Sequence, residues 1–383
     1  MRNAIVVGGG IGGLSAAVGL HRAGWRVTVL ERAPEIRAIG AGIGLWPNAL
    51  RALGTLGLGD AVAAIAEPQR DGGLRTAAGR WLTRWDGRRL EAAMGGPVLV
   101  VYRPQLHDLL RAALPADCFH TGAEVRGATP DGRVDADLDL PPADLVVAAD
   151  GIRSRLRGHL VPGHPGPVYS GTTAWLGVAP QPPAHGPCGY WGEGREVGIL
   201  PLVDGRTYWY TGALAPAGQR AADEKAAVLD RFRGWHAPIL DTIRSTPAGQ
   251  VIHLDLYHLA TPLDTYVHGR VALLGDAAHA TVPFLGLGAA QAIEDAATLV
   301  WAVRTQPDLD TALDVYDRVR RPRSQAAARA SVRAGRFGPY VTGRLATALR
   351  DAVVRLTPQS VATRPMAALA DWSLPDGTGG RTA

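Results

Sequence analysis

The segment that most narrows the possible folds is "NAIVVGGGIGGLSAAVGLHRAGWRVTVLER" at residues 3–32. Residues 4–7 are a short, continuous apolar run of the kind buried in parallel sheets. Gly8, Gly10 and Gly13 follow as G-x-G-x-x-G. The first allows a tight turn, the second lets backbone approach a pyrophosphate, and the third lets helix pack on strand. Residues 14–23 have helical composition and stop at Gly24, a plausible residue to end a helix. A second strand at 26–30 delivers Glu31, whose carboxylate can accept from ribose hydroxyls. The unpaired N–H groups and positive end of the helix suit a diphosphate without any basic side chain. A glycine pattern alone means little in a chain with 48 glycines. With strand, helix and acid in register it predicts a dinucleotide-binding unit, with NAD and FAD both open.

A length of 383 residues allows two domains, or one large α/β unit with an embedded second layer. With 46% hydrophobic and 20% charged residues the chain can bury a substantial core. The net charge is +5, but Lys225 is the single lysine and the arginines are interleaved with acids. No basic run with interspersed aromatics occurs, which argues against nucleic acid as a partner. Cys118 and Cys188 fit neither a zinc site nor a redox pair, and point to a reducing compartment. The apolar start has no basic leader or cleavage pattern, and no stretch of about 20 apolar residues could span a bilayer. The expectation is a soluble, cytoplasmic chain, as monomer or homodimer.

Further along, "VYRPQLHDLLRAAL" (100–114) reads as a helix with Leu106, Leu109, Leu110 and Ala113 on one face and Arg103 near its start. "ADLVVAADGIRSRLRGHL" gives a buried strand at 144–149 ending in Asp150-Gly151, then a basic turn. Such a strand end places a carboxylate on the ligand-facing edge of a parallel sheet. From about 170 to 264 apolar, aromatic and polar residues alternate between Gly/Pro turns, as in antiparallel strands. Residues 79–90 read as strand and turn, and 221–243 as a helical interruption. An aromatic sheet face suits an apolar ligand, and Trp175, Trp191, Trp209 and Pro283 are candidate pocket residues. The tail "DGTGGRTA" is expected to fray.

"LLGDAAHATVPFLGLGAAQAIEDA" (273–296) then raises a second ligand-binding possibility. A buried strand at 271–274 ends in Gly275-Asp276, a third strand-end carboxylate. A Pro/Gly-rich loop leads to a helix beginning near Leu287, with Gly286 and Gly288 leaving its N–H groups unshielded. Such an end attracts negative charge by about 0.3–1 kcal/mol. NAD has no evident need of it. FAD does, because a reduced flavin carries negative charge and its ribityl hydroxyls need an acceptor such as Asp276.

Together, G-x-G-x-x-G with Glu31-Arg32, "DGIRSRLR", "GDAAHATVP" and "YDRVRRPR", in this order, resemble the class A flavoprotein aromatic hydroxylases, the para-hydroxybenzoate hydroxylase-like group. The likeness runs from the first strand to about Arg323. It implies that Gly8, Gly10, Ile11, Gly12, Gly13, Glu31, Arg32, Arg103, Val125 and Asp276 contact FAD. It also implies that Asp150 serves FAD and NAD(P)H together, and that Pro283, Gly286, Leu287, Gly288 and Ala289 lie along the isoalloxazine. The implied fold is α/β: a Rossmann-like FAD-binding domain with a mainly parallel sheet (1–70, 96–168 and 265–330), interrupted by an antiparallel substrate-binding sheet (71–95 and 169–264). Helices and a tail (331–383) complete it.

The implied chemistry needs no metal. NAD(P)H reduces the flavin, O₂ adds to give a C4a-hydroperoxide, and one oxygen passes to an aromatic substrate. The family often has Gln at Leu287 and Asn at Ala290, so side-chain hydrogen bonds near the flavin are expected to be lost here. Leu176 stands where relatives acting on small aromatic acids carry Arg, which points to a larger or more apolar substrate, such as a specialised metabolite. Tyr190, Tyr208, Tyr210 and His279 are candidates to assist a phenolic substrate. Epoxidation, Baeyer–Villiger insertion, or non-catalytic binding of an aromatic intermediate stay open as alternatives.

Overall fold

The computed structural model describes residues 1–35 and 40–375, so the expected fraying of 376–383 lies outside the described residues. The first helix, Ile11–Arg22, joins strands Asn3–Val7 and Arg26–Glu31, which pair in parallel. They form the middle of a six-stranded sheet ordered Val267–His268, Val271–Leu273, Leu145–Ala148, Asn3–Val7, Arg26–Glu31, Phe119–Thr121. Only the first pair in that order is antiparallel. The central strand segments 4–7, 145–148 and 271–273 read as unbroken apolar runs because helices cover both faces and every position along them is buried.

The helix Gly288–Thr305 packs along the first helix. A Cβ on Gly12 would lie 3.0 Å from the Cβ of Ala292, and one on Gly19 would lie 2.6 Å from Val300 Cγ2. Contacts advance from 12 to 19 on one helix as they advance from 292 to 300 on the other. The two helices are therefore parallel, and both begin at the carboxyl edge of the sheet. The long helix Leu309–Phe337 packs on Gly288–Thr305 and carries Pro322 within it.

A second, seven-stranded sheet runs Ile252–His258, Val168–Ala179, Thr207–Leu214, Arg195–Pro201, Cys188–Trp191, Gly72–Thr76, Trp81–Trp85. It is antiparallel apart from the pair between 188–191 and 72–76. One face buries Trp175, Tyr190 and Trp209 against the helices Glu224–Arg231 and Ala237–Ser245. The other face meets a small sheet of Gly42–Leu45, Leu99–Tyr102 and Ala66–Pro68. There the Tyr208 ring comes so near Gly42 that a Cβ would sit 2.3 Å from it.

Three local expectations are corrected. The predicted helix at 100–114 is a strand, Leu99–Tyr102, followed by a helix, Arg103–Ala112. The β-branched valines satisfy a sheet before Pro104 sets the helix start. Residues 79–90 give the strand Trp81–Trp85, and then the helix Gly87–Met94, capped when Asp86 accepts from the Arg89 N–H at 3.0 Å. The single helix expected at 221–243 is two, Glu224–Arg231 and Ala237–Ser245. Gly234, at φ +81°, breaks it between them.

The close fit at Gly12 is testable. A Val there would collide with Leu274 and Ala292, already 2.8 and 3.0 Å from the first added carbon. Gly12→Val is expected to lower unfolding stability by about 1–3 kcal/mol in urea titrations, whereas an unchanged midpoint would contradict this helix packing.

Candidate active site

At the start of the first helix, Leu14 N–H makes the first intrahelical bond, to Gly10 C=O at 2.9 Å. The N–H groups of Ile11, Gly12 and Gly13 therefore have no helical acceptor, and no side chain caps the end. Gly8 adopts φ +108°, and a Cβ there would lie 2.3 Å from Ala149 C=O. Gly13 is held by a similar approach to Gly8 C=O. At Gly10, by contrast, a Cβ would meet nothing within 4 Å, so the chain leaves room on that side. Glu31 fixes the loop: its carboxylate accepts from the N–H groups of Gly9 (2.8 Å) and Ala33 (2.9 Å). His107 Nε2 bonds Gly9 C=O at 2.7 Å. Arg32 is exposed beside this loop. Val125 is buried two residues beyond Ala123, whose N–H donates to Glu31 C=O.

The second helix start repeats the pattern. Gln291 N–H reaches Leu287 C=O at 2.9 Å, which leaves Gly288, Ala289 and Ala290 N–H without helical acceptors and without a side-chain cap. Gly286 has φ +65°, and Gly44 and Gly288, like Gly10, have open space where a Cβ would stand. Leu287 turns away. Its side chain is fully buried with Trp46, Leu90, Met94 and Ala327, so the apolar residue anchors the loop from behind. Ala290 is likewise buried in the main core.

Four charged groups, Asp276, Arg103, Arg157 and Asp150, interact near the ends of the parallel strands. Asp276 is accessible from a recess, yet the protein around it raises its carboxyl above the ordinary range, an effect opposed by His279, Arg103 and Arg157. Burial lowers the pKa of Arg103, while Asp276 and Tyr208 act the other way. Arg157 donates to the carbonyls of Ala277 (2.9 Å) and Ile152 (2.7 Å), bracing the segment that follows Asp276. Asp150 accepts from Leu156 N–H through Oδ2, while its buried Oδ1 has no partner among the described residues.

These features fit an extended ligand with a negative diphosphate and a hydroxyl-bearing chain. Two uncapped helix ends face one edge, three glycines leave room, and an orphaned carboxylate oxygen waits for a donor. FAD has that chemistry. Gly8–Gly13 and Glu31 would hold its adenosine diphosphate half, Asp276 its ribityl hydroxyls, and the 286–289 turn its ring.

A buried network fixes Asp276. The Asp295 carboxylate accepts from Gly275 N–H (2.9 Å), pairs with His279 Nε2 (2.5 Å) and accepts from Arg320 Nε (2.7 Å). Burial alone would raise this carboxyl, but His279 and Arg320 outweigh it and bring it down to about 2. Arg320 also pairs with Glu294 and donates to Gln291 Oε1 at 2.8 Å. Arg323 Nε adds a second contact to Glu294, at 2.7 Å. His279 is thus committed to a buried hydrogen bond with Asp295, which corrects its place among the substrate-facing candidates.

The aromatic candidates divide by sheet face, since neighbours along a strand point to opposite sides. Tyr208 and Tyr210 face the small sheet and the recess, with no hydrogen bond to either hydroxyl among the described residues. Burial raises both phenols. Trp175, Trp209 and Tyr190 point the other way, which corrects their placement at the substrate. Trp175 Nε1 donates to Glu224 (2.8 Å) and its ring stacks on His253, while Trp209 Nε1 donates to Thr246 (2.8 Å). Tyr190 lies in the same layer, its phenol pushed up to about 12 by burial. Trp191 shares the sheet face of Tyr208 and Tyr210, the chamber face, and lies under Arg350. Pro283 is exposed in the turn Pro283–Leu285, whose Phe284 ring packs 4.7 Å from that of Tyr340.

Sequence reasoning missed Glu196 and Tyr340. The signal for Glu196 was present in "REVGILP": Val197 and Ile199 mark the core face, so Glu196, Gly198 and Leu200 must occupy the other. Tyr340 follows the long helix, far from every motif, and carried no such signal. The buried partners of Asp295 were also unread, although Arg320 lies within "YDRVRRPR".

Residues 1–331 match the family described as "FAD binding domain". The chain is 37% identical to the aurachin C monooxygenase/isomerase of Stigmatella aurantiaca over 347 residues, covering 88% of this chain and 89% of that protein. It is 34% identical to a probable 2-heptyl-3-hydroxy-4(1H)-quinolone synthase of Rhodococcus erythropolis, covering 93% and 92%. Among solved structures, Klebsiella pneumoniae HpxO complexed with FAD and uric acid superposes with a TM-score of 0.89 at 28% identity, over 96% of each chain.

Removing a member of the Asp295 network should cost more than removing Asp276. Arg320→Met leaves two buried carboxylates short of a cation, and is expected to lose about 3–5 kcal/mol in thermal or urea unfolding. Asp276→Ala should change stability by less than about 1 kcal/mol while weakening FAD retention in equilibrium dialysis. Wild-type stability in Arg320→Met would contradict the assignment.

Proposed function

Since the chain belongs to the FAD binding domain family, whose relatives include FAD-dependent monooxygenases, we propose that it uses NAD(P)H and O₂ to hydroxylate a bulky, uncharged aromatic. The observation that carries this reading is the chamber face of the seven-stranded sheet. It presents Leu176, Leu200, Tyr208 and Tyr210, the last with its ring laid over Gly198, and no Arg or Lys among its strand residues. A small aromatic carboxylate would meet no cationic strand residue there. Residues 71–95 and 169–264 are assigned to substrate, and 1–70, 96–168 and 265–330 to FAD.

FAD, when bound, would supply the redox chemistry, hydride acceptance and O₂ activation. Overall, one oxygen atom enters an aromatic C–H bond, the other leaves as water, and NAD(P)H gives up two electrons. The protein contributes placement and exclusion of water. The positive ends of the helices beginning at Ile11 and Gly288 hold negative charge at the two ends of the cofactor site. Asp276 would accept from the cofactor's hydroxyls, with Arg103 and Arg157 balancing its charge. The Tyr208 and Tyr210 hydroxyls, which have no hydrogen-bond partner among the described residues, can bond polar atoms of a substrate. The quinolone and aurachin relatives support a fused-ring heteroaromatic as the substrate class.

With FAD-loaded protein, 2-heptyl-4(1H)-quinolone should accelerate NAD(P)H oxidation at least about tenfold, a barrier change of about 1.4 kcal/mol. Mass spectrometry should show a product one oxygen heavier with its rings intact. Salicylate should not accelerate the reaction. Acceleration by salicylate alone would overturn the substrate class, and a ring-expanded product would replace hydroxylation by Baeyer–Villiger insertion.

A further inference from the structure

Among the described residues, Glu196 is the one charged strand residue on the chamber face. It is buried, opposite Trp191 on one neighbouring strand and Gly212 on the other. The Tyr340 hydroxyl, arriving from beyond the end of the long helix, donates to Glu196 Oε1 at 2.6 Å. Gly212 makes room for that approach, since a Cβ there would lie 2.1 Å from the Tyr340 oxygen. Among the described residues nothing donates to Oε2, and no Arg, Lys or His forms an ion pair with this carboxyl. The titratable neighbours facing it are Tyr340 and Tyr210. Arg350 lies over the Trp191 ring but donates to the carbonyls of Gly192 (3.0 Å) and Gly338 (3.1 Å) and to Asp351 (2.7 Å).

A chain with 40 cationic side chains therefore leaves one enclosed carboxyl with a neutral partner only. Burying such a group is costly unless its hydrogen-bonding capacity is met. Burial pushes the carboxyl up to about 7, against the lowering effect of Tyr340. The Phe284–Tyr340 contact links the pair to the Pro283–Leu285 turn, beside the proposed flavin ring site.

We propose that Glu196, positioned by Tyr340, is the polar anchor of the chamber, its Oε2 accepting a hydrogen bond from a ring N–H or hydroxyl of a neutral aromatic ligand. The assignment rests on the monooxygenase reading for what happens next to that ligand, not for the contact itself. An anionic substrate would be repelled by the same carboxylate. The pair is thus a specificity device as well as an orienting one, selecting donor-bearing, uncharged heteroaromatics.

The test uses FAD-loaded protein, with binding followed by perturbation of the flavin absorbance. The probes are 2-heptyl-4(1H)-quinolone and its N-methyl analogue, which lacks the donor. The ionised carboxylate is the acceptor, so binding of the N–H quinolone should tighten as pH rises from 6 to 8. At pH 8 it should exceed that of the N-methyl analogue by about ten- to a hundredfold, the range of a charge-assisted hydrogen bond. Glu196→Gln should remove the pH dependence, and Tyr340→Phe should move its midpoint to higher pH because the carboxylate loses a donor. Equal affinities for the two quinolones, no binding of either, or the same pH dependence in Glu196→Gln would each overturn the proposal. The two-quinolone comparison on the unaltered protein stands even if a variant fails to fold. Binding with these features but without turnover would count against the monooxygenase reading and leave the anchor intact.

Discussion

Asp295 is the residue on which the rest of the site depends. Its carboxylate sits at zero exposure between two helices and the turn that carries Asp276, and three donors meet on it: a backbone N–H, an imidazole and a guanidinium. In a low-dielectric interior such contacts are strong when complete and costly when broken. The turn, the Gly288–Thr305 helix and the long helix are therefore held in one arrangement. Asp276 itself stays free to face a ligand because the binding of its own turn is delegated to Asp295.

The second constraint is the side-by-side packing of two helices through small residues. Gly12 and Gly19 let the first helix close against Ala292 and Val300, and Gly275 comes equally near Ala292. Parallel alignment brings two uncapped N-termini to the same sheet edge, a long way apart in sequence. One end would have suited any nucleotide. Two ends, with a carboxylate between them, call for a ligand as long as FAD and negative at more than one place. The seven-stranded sheet then closes the site with a largely apolar, aromatic face that carries Glu196 as its charged strand residue.

Much of this was legible in the sequence where chemistry and local structure coincide. Gly8 to Glu31 declare a strand, a turn, a helix and an acid within one short segment, and Asp150 and Asp276 announce themselves by following buried strands. What was hidden depends on long-range register. Whether Tyr208 or Trp209 faces the chamber cannot be told from their adjacency; the pairing of Thr207–Leu214 with Val168–Ala179 and Arg195–Pro201 decides it. His279 looked like a free imidazole because its partner lies sixteen residues on, across a loop and a helix turn. Leu287 looked like a lost hydrogen bond near a flavin, but its side chain packs behind the loop, where an apolar residue is an advantage.

The central claim is that a single FAD molecule engages both helix N-termini at once. Hydrogen–deuterium exchange of the protein with FAD, with ADP and with neither ligand tests it directly. FAD should slow exchange together at residues 8–14 and 286–291, while ADP should protect only the first segment. Protection by FAD confined to 8–14, with 286–291 unchanged at saturation, would contradict the account.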